Sequence, residues 1–251
     1  MTTTCLETTT PPARSRLAWA ALCVAVVAAS LAGVRTITAE DIGYHLAFGE
    51  AFCQEGRLVD HCEVLYAPPG GTDADPGPGN WYDAQGRYRF PNANWLTQVI
   101  FYAAWAAGGV VGLNVLLAAC VAALFVLVAL TCLRGGGSPL AAAAAVLLTA
   151  MTIYPRLMLR PELLGYLTLM GNSALLAPLI VSADDRRLSR RTMIGVVALQ
   201  LLYVNLHSYW LLGLALTGVT LLPAIARLLG RPSAEVRSAA ASALKQRGGP
   251  P

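Results

Sequence analysis

The stretch VVGLNVLLAACVAALFVLVALTCL, residues 110–133, sets the architecture of the chain, because it is long, apolar and free of charged residues. A helix needs roughly 17 to 25 mostly apolar residues to cross a bilayer core. Five more apolar runs occur, three of full length and two that reach only about 22 to 24 Å as helices. They are residues 17–37, 163–181 and 209–229, and the shorter 139–154 and 192–206. The sequence therefore predicts an all-α, polytopic transmembrane helical bundle with about six spans.

The composition of the whole chain favours the same class. Of its 251 residues, 56% are hydrophobic and only 13% are charged, and the mean hydropathy is +0.55. Soluble globular proteins average about 25% charged residues. A chain this apolar cannot bury all of its apolar surface within itself, so we expect a lipid bilayer to cover the remainder.

The placement of lysine and arginine predicts the orientation, since cytoplasmic flanks and short loops carry an excess of these residues. With the N-terminus in the cytoplasm, twelve of the 18 basic residues fall inside and the other six outside. An even number of spans returns the C-terminus to the cytoplasm. We therefore expect an integral protein of a bacterial plasma membrane with both termini cytoplasmic. The net charge of +4 follows from this bias and indicates no nucleic-acid partner.

This topology divides the chain into a disordered cytoplasmic tail at residues 1–16, a transmembrane domain at residues 17–230 and a second cytoplasmic tail at residues 231–251. Within the domain, residues 38–93 form a large extracytoplasmic loop. Residues 94–107, with tryptophans and a tyrosine typical of the membrane interface, predict a juxtamembrane helix. The predicted bundle thus carries helices beside the membrane as well as across it.

Two short motifs predict local structure next to the bundle. Residues 81–90 contain two aromatic runs around a Gln-Gly turn and predict a β-hairpin. Gly108 and Gly109 predict a helix break between the juxtamembrane helix and the next span. If the segment before this break crossed the membrane instead, every later assignment would flip.

The cysteines of the extracytoplasmic loop leave two states open. Cys53 and Cys62 could form a disulfide in an oxidising compartment, but their spacing does not decide between the bridged and the free forms. A metal site that includes His61 is disfavoured, because no pair of ligands has a zinc-site spacing. We expect no cofactor, with a divalent metal left open.

A carboxylate and an imidazole follow the first predicted span. Asp41 and His45 are four residues apart and so share one face of a helix, at a membrane surface. Such a pair can perform acid–base chemistry. In an amphipathic helix over residues 41–55, we expect both side chains and Glu55 to face water.

Two more polar motifs fall on the same predicted side of the membrane. Arg156 and Arg160 could together hold a phosphate, or could extend to lipid headgroups or pair with Glu162. Asn205 and His207 could line a polar cleft, or could be helix-end residues satisfied by the backbone and water. The convergence favours a functional site. Its candidate members are Asp41, His45, Asn92, Asn94, Arg156, Arg160, Asn205 and His207.

Five motifs in register suggest a family. They are Asp41-x-x-x-His45-Leu-Ala-x-Gly49, Gly56-Arg-Leu-Val-Asp60, Asn94-Trp-Leu-Thr-Gln98, Arg160-Pro-Glu162 and Asn205-Leu-His207. Their order resembles a large group of bacterial polytopic membrane proteins related to GT-C-type glycosyltransferases, over roughly residues 15–230. Proteins of that group typically contain Asp-x-Trp-Trp-His-Leu-x-x-Gly, His-Glu-Trp-Leu, Arg-Pro and Asn-Leu-His-Gly. This chain departs from that pattern at Gly43-Tyr44, at Asn92 to Asn94 and at Ser208, and it resembles the N-terminal portion of those proteins.

The resemblance implies transfer of a sugar from a polyprenyl-phosphate carrier to an acceptor at the extracytoplasmic face. It implies that Asp41 is the base or the acceptor-orienting carboxylate, with His45 beside it. Arg156 and Arg160 would face the lipid-linked phosphate, whose charge develops as it leaves. Asn94, Asn205 and His207 would complete the substrate pocket.

Three classes of function therefore stay open. The first is the glycosyltransferase or its N-terminal module. The second is a non-catalytic polytopic protein that keeps the fold for binding or assembly. The third is a transporter, which needs polar residues near the middle of the membrane, where Asn172 and Gln200 are the main candidates.

Overall fold

The computed structural model describes residues 13–37, 41–61, 75–181 and 189–229. This part of the chain is mostly helical, with seven α-helices, one two-stranded sheet and a 3₁₀ turn at Tyr154–Arg156. The helices are α1 (Ala13–Gly33), α2 (Ile42–Glu55), α3 (Trp95–Arg134), α4 (Pro139–Ile153), α5 (Pro161–Val181), α6 (Arg190–Leu206) and α7 (Trp210–Leu229). The predicted tails lie almost wholly outside the described residues, as does Cys62 of the possible disulfide.

Three of the described helical segments are long and apolar enough to cross a membrane. They are Ser15–Gly33, Trp95–Arg134 and Pro139–Arg156, and Trp210–Leu222 is a shorter apolar helix. Large apolar side chains such as Leu17, Val24 and Leu31 of α1 are exposed on the protein surface. Exposed apolar residues along a helix of this length are typical of a lipid-facing surface. The prediction of a mostly helical chain with helices suited to cross a membrane is therefore confirmed, and the count of six spans stays a prediction.

Helix α3 consists of two segments that are not collinear. Gly108 and Gly109 have non-helical dihedral angles, and Gly109 has a φ of 55°. In one continuous helix, residues 104 and 112 would lie about 12 Å apart along the axis. A Cβ on Gly112 would instead lie 2.0 Å from the carbonyl oxygen of Ala104. The Gly-Gly pair therefore produces the predicted break, and the chain folds sharply at it.

The apolar core lies between α1, α3, α4 and α5. Its most completely buried side chains include Val121 and Phe125 of α3 and Val146 of α4. Gly33, at the end of α1, permits close packing, because a Cβ there would meet the side chains of Val121 and Leu157 at 2.6 and 3.0 Å. The core thus joins the end of α1 to the segment that follows α4.

Several hydrogen bonds join helix ends at one end of the bundle. The Arg35 guanidinium donates to the carbonyl oxygens of Tyr154 (2.8 Å) and Leu157 (3.3 Å), and it also lies over the Tyr154 ring. The Thr97 hydroxyl donates to the carbonyl oxygen of Leu206 at 2.8 Å. The C-terminal ends of α1, α4 and α6 therefore meet the N-terminal ends of α2, α3 and α5. We call this region the polar end of the bundle.

The predicted hairpin is present. Strand β1 (Trp81–Tyr82) pairs antiparallel with β2 (Tyr88–Arg89). Arg89 forms ion pairs with Asp83 and Asp60, and the Phe90 N–H donates to the Asp60 carbonyl oxygen at 2.8 Å, so the hairpin is fastened to the segment that follows α2. Burial would raise the pKa of Asp83, but hydrogen bonds from Arg87 and Arg89 hold it well below its usual range.

Candidate functional site

Asp41 lies immediately before α2, at the position where a side chain commonly caps the helix, but its carboxylate makes no cap hydrogen bond. An Asp in this position usually accepts one from the first turn, which stabilises a helix by about 1 kcal/mol. Here Oδ2 lies 3.8 Å from His45 Nε2, and Oδ1 lies 3.4 Å from Arg160 Nε. Both contacts are between charged or polar groups without hydrogen-bond geometry. The carboxylate is thus directed at a second element instead of at its own helix.

His45 is buried, with only 1% of its side chain exposed, so the prediction that it faces water is wrong. Its ring lies 6.0 Å from Phe101 of α3 in an edge-to-face arrangement and 4.1 Å from the ring of Tyr44. Neither ring nitrogen has a hydrogen-bond partner among the described residues. Burial lowers the pKa of His45 to about 4, although the nearby carboxylates of Asp41 and Glu162 oppose the shift. The imidazole is therefore neutral at pH 7.

Arg160 lies in the short segment between α4 and α5. The buried side chains of Leu157 and Leu159 anchor this segment in the core, and the Arg160 N–H donates to the carbonyl oxygen of Met158 at 2.9 Å. With 34% of its side chain exposed, Arg160 pairs with Asp41, whose side chain is 27% exposed. The pairing with Glu162 that the sequence left open is not found among the described residues.

A cavity of about 310 Å³ opens beside this pair, at the polar end of the bundle. Two arginines and a carboxylate supply its charged groups. The residues that line it are Pro155, Arg156, Met158, Arg160, Glu162 and Tyr166. The Arg156 side chain is exposed, and no described residue forms a hydrogen bond or ion pair with it. The cavity therefore presents the free guanidinium of Arg156 beside the guanidinium of Arg160, which is paired with Asp41. Guanidinium groups of this kind bind phosphate, and Asp41 is connected to the cavity through Arg160.

The asparagines of the predicted site brace the start of α3. The Trp95 indole N–H donates to Asn205 Oδ1 at 2.9 Å, and Asn205 Nδ2 donates to the Leu201 carbonyl oxygen at 2.7 Å. The Asn94 N–H donates to Asn92 Oδ1 at 3.3 Å, while its own buried Oδ1 has no hydrogen-bond partner among the described residues. The side chains of Asn94 and Asn205 lie outside the cavity lining, and Asn205 contacts the helix backbone and Trp95 instead.

His207 lies between α6 and α7 and is only 5% exposed. Its Nδ1 accepts a hydrogen bond from the Tyr209 N–H at 3.1 Å. Burial lowers the pKa of His207, and the Glu162 carboxylate opposes this shift. Gly165 of α5 packs beside His207, and a Cβ there would lie 3.1 Å from the Tyr203 ring and 3.4 Å from the His207 Cβ. His207 is thus near Glu162 and His45 but behind the cavity wall.

The structure therefore brings together Asp41, His45 and Arg160 and places Arg156 on the same cavity. Glu162 and Tyr166 also line the cavity, and sequence reasoning did not assign either of them to the site. A carboxylate directly after Pro161, in the first turn of α5, was a signal that could have indicated Glu162. Among the described residues, no group of three or more His, Cys, Asp or Glu side chains could hold a metal ion.

Comparison of the chain with protein-family models, curated proteins and solved structures gave no match.

Proposed function

We propose that the protein is a membrane glycosyltransferase that moves a sugar from a polyprenyl-phosphate donor to an acceptor at the extracytoplasmic face. One observation carries the proposal. A cavity with two arginines opens at the polar end of the bundle, beside a carboxylate that is free of its usual capping role. A lipid-linked phosphate enters from the bilayer, so its binding groups must lie where the helices end. The order of motifs that resembles GT-C-type enzymes agrees with this placement.

The proposed reaction uses the cavity for the donor and Asp41 for the acceptor. The acceptor oxygen attacks the anomeric carbon of the sugar, and the bond between that carbon and the phosphate oxygen breaks. The phosphate keeps the electron pair, and Arg156 and Arg160 stabilise its charge. The proton of the acceptor passes to Asp41. Because Arg160 contacts Asp41 as well as the cavity, it holds the base next to the reacting phosphate.

His45 is a positioning residue in this proposal, because its burial keeps it from the substrate. It lies one helical turn after Asp41 and packs against Phe101 of α3. The side chain thereby fixes the start of α2 and the direction of the carboxylate. Asn94, Asn205 and His207 act in the same indirect way, by holding α3 and α6 together at the polar end.

The proposed location is a bacterial plasma membrane, with the polar end outside and both termini in the cytoplasm. The support comes from the excess of arginine and lysine in the segments assigned to the inside. A polyprenyl-phosphate donor presented at the outer leaflet would then reach the cavity directly.

Replacing Asp41 by Asn tests the proposal. We expect D41N to lower transfer from a polyprenyl-phosphate sugar by about 10² to 10⁴-fold, the usual contribution of a general base. Thermal unfolding in detergent checks that the variant still folds. Asp75 is a matched control, because it is an exposed carboxylate of the extracytoplasmic loop. Unchanged transfer by D41N, or an equal loss in D75N, would contradict the assignment.

A second candidate is a non-catalytic protein that binds the lipid-linked phosphate. The observation that favours it is the ion pair between Asp41 and Arg160, which occupies the proposed base. Binding of the donor without any transfer would support this candidate. The transporter has less support, because of its two main midmembrane candidates Asn172 is fully buried in the packed bundle and Gln200 donates a hydrogen bond to the Trp210 carbonyl oxygen at 3.0 Å.

A further inference from the structure

We propose that Glu162 makes the cavity prefer a phosphodiester to a phosphomonoester. The preferred phosphodiester carries one negative charge, and the group esterified to its phosphate opposite the lipid carries hydrogen-bond donors. This inference rests on the proposed function. It would make the site bind the sugar-charged donor more tightly than the polyprenyl phosphate that remains after transfer. Glu162 would thus both select the donor and promote release of the product.

The first argument is the unused hydrogen-bonding capacity of Glu162. Its carboxylate lines the cavity with Arg156 and Arg160, and no described residue donates a hydrogen bond to it or forms an ion pair with it. Arg160, the nearest candidate partner in sequence, pairs with Asp41 instead. A carboxylate only accepts hydrogen bonds, so a ligand that uses this capacity must supply hydroxyl or ammonium groups. The sugar of a glycosyl phosphodiester supplies hydroxyls directly beside the phosphate.

The second argument is the charge balance of the site. Two arginines, Arg156 and Arg160, stand against two carboxylates, Asp41 and Glu162, so the formal charges cancel. A site built only for phosphate would keep an excess of positive charge. A phosphodiester carries one negative charge, whereas a phosphomonoester carries about −1.5 to −2 at pH 7. Repulsion by Glu162 therefore penalises the monoester more than the diester.

A purely structural role of Glu162 predicts a different experimental result. Glu162 lies in the first turn of α5, where a negative charge stabilises a helix through its dipole. If this were its only role, replacing Glu162 by Gln would lower thermal stability slightly and leave the order of ligand affinities unchanged. The two roles are therefore separated by a ratio of affinities, which a general loss of stability does not alter.

The test measures the binding of three short-chain lipids by isothermal titration calorimetry, with the full chain in phosphatidylcholine nanodiscs. Farnesyl phosphate is the monoester, farnesyl phosphoglucose is the diester with donors, and methyl farnesyl phosphate is a diester without them. We expect the wild-type protein to bind farnesyl phosphoglucose at least about tenfold more tightly than farnesyl phosphate. This is the effect on affinity of one repulsive contact between Glu162 and the additional negative charge of the monoester. Methyl farnesyl phosphate should have an intermediate affinity. The variant E162Q should lose most of the discrimination.

Glu50 provides the matched control. It is an exposed carboxylate on α2 that accepts a hydrogen bond from Gln54 at 3.0 Å, away from the cavity lining. The variant E50Q should keep the wild-type ratio of affinities. The variant R156Q should weaken binding of all three lipids, because each contains a phosphate. An E162Q protein that folds and retains the wild-type ratio, or a wild-type protein with no preference, would overturn the inference.

The same experiment separates this inference from the proposed function. Phosphatidylglycerol is a membrane phosphodiester with hydroxyl groups, so nanodiscs that contain it test whether bulk lipid occupies the cavity. If it displaces farnesyl phosphoglucose at equal concentration, the selectivity of Glu162 stands and the proposed donor is wrong. If transfer is never observed but E162Q changes the affinity ratio, the inference also stands. If transfer is observed with an unchanged ratio in E162Q, only the inference fails.

Discussion

At the scale of single residues, burial determines the protonation state of His45. Its surroundings contain charges of both signs. Burial lowers its pKa and is the largest effect, the carboxylates of Asp41 and Glu162 oppose it, and the positive charges of Arg160 and His207 act in the same direction as burial. The result is a neutral imidazole in the packed interior of the polar end. Its protonation would place a charge between α2 and α3 without a hydrogen-bond partner.

The lowered pKa of His45 therefore predicts that the stability of the protein depends on pH. Its pKa is about 4 in the folded protein and about 6.5 in the unfolded chain. The contribution of neutral His45 is complete above about pH 6.5, and it is lost as the pH falls towards 4, because only the unfolded chain binds the proton in that window. We expect a loss on the order of 3 kcal/mol. Unfolding midpoints in detergent between pH 8 and pH 4 measure it.

The variant H45Q is the comparison protein for this measurement. Its stability at pH 8 sets its own baseline, and its slope between pH 6.5 and pH 4 should be smaller than that of the wild-type protein. His207 supplies part of the slope that remains, since burial lowers its pKa too. Equal slopes in the two proteins would show that His45 does not titrate in this window.

The sequence predicts some of this residue-scale detail and misses the rest for a physical reason. The four-residue spacing of Asp41 and His45 correctly predicts that they lie close together on α2. The burial of His45 against Phe101 of α3 and the contact of Asp41 with Arg160 depend on other elements, which meet them only in the folded protein. Helical periodicity gives the angle of a side chain around its helix but not which element covers that face.

At the scale of elements, the position of α2 depends on a close contact with α3. A Cβ on Gly49 would lie 2.2 Å from the carbonyl oxygen of Gln98 and 2.8 Å from the Cβ of Tyr102. Only a residue without a side chain lets the two backbones approach this closely. Asp41 lies immediately before α2 and His45 lies in its first turn, so any shift of this helix moves both of them relative to Arg160.

Replacing Gly49 by Ala should therefore destabilise the protein by about 1 to 3 kcal/mol, the usual cost of overpacking. Gly43 is the matched control in the same helix, because a Cβ there meets nothing within 4 Å. Removal of a glycine from an exposed helical position should stabilise G43A by up to about 1 kcal/mol. Unfolding midpoints of the two variants should thus move in opposite directions. A G49A protein as stable as G43A would show that the helices are not in close contact.

Element boundaries were largely predictable because local signals define them. The Gly108-Gly109 pair predicted the break in α3, and the aromatic runs around Gln85-Gly86 predicted the hairpin. The angle of the break was not predictable, because it depends on the contact of Gly112 with Ala104 across the corner. Local sequence thus marks where a helix is interrupted, whereas tertiary packing sets the direction in which the chain continues.

At the scale of the whole molecule, the helices differ in how strongly their composition supports a membrane span. The three that meet the criteria of length and apolarity are in the first two thirds of the chain. Helix α5 contains Glu162, Asn172 and an internal Pro178, and α6 has 17 residues and begins with two arginines. These polar groups lower the apolarity of both helices. The six-span prediction therefore depends most on α5 and α6.

Cysteine labelling tests the six-span topology. We expect a membrane-impermeant maleimide to label N80C in intact cells, and to label S138C and S189C only after the membrane is permeabilised. All three positions lie between helices in the described part of the chain. A background in which the six natural cysteines are replaced avoids other labelling. If residues 94–107 cross the membrane, S138C and S189C will be labelled from outside.

The hydrogen bonds of Arg35 have a consequence for biosynthesis. Arg35 and Tyr154, which its guanidinium binds, are 119 residues apart in the chain. A ribosome adds about 5 to 20 residues per second, so Arg35 is made on the order of ten seconds before its acceptor. During that interval the end of α1 carries a guanidinium with no carbonyl partner from the 154–157 segment. The contact that joins the end of α1 to the 154–157 segment, which contributes Pro155 and Arg156 to the cavity, can therefore form only after α4 has been synthesised.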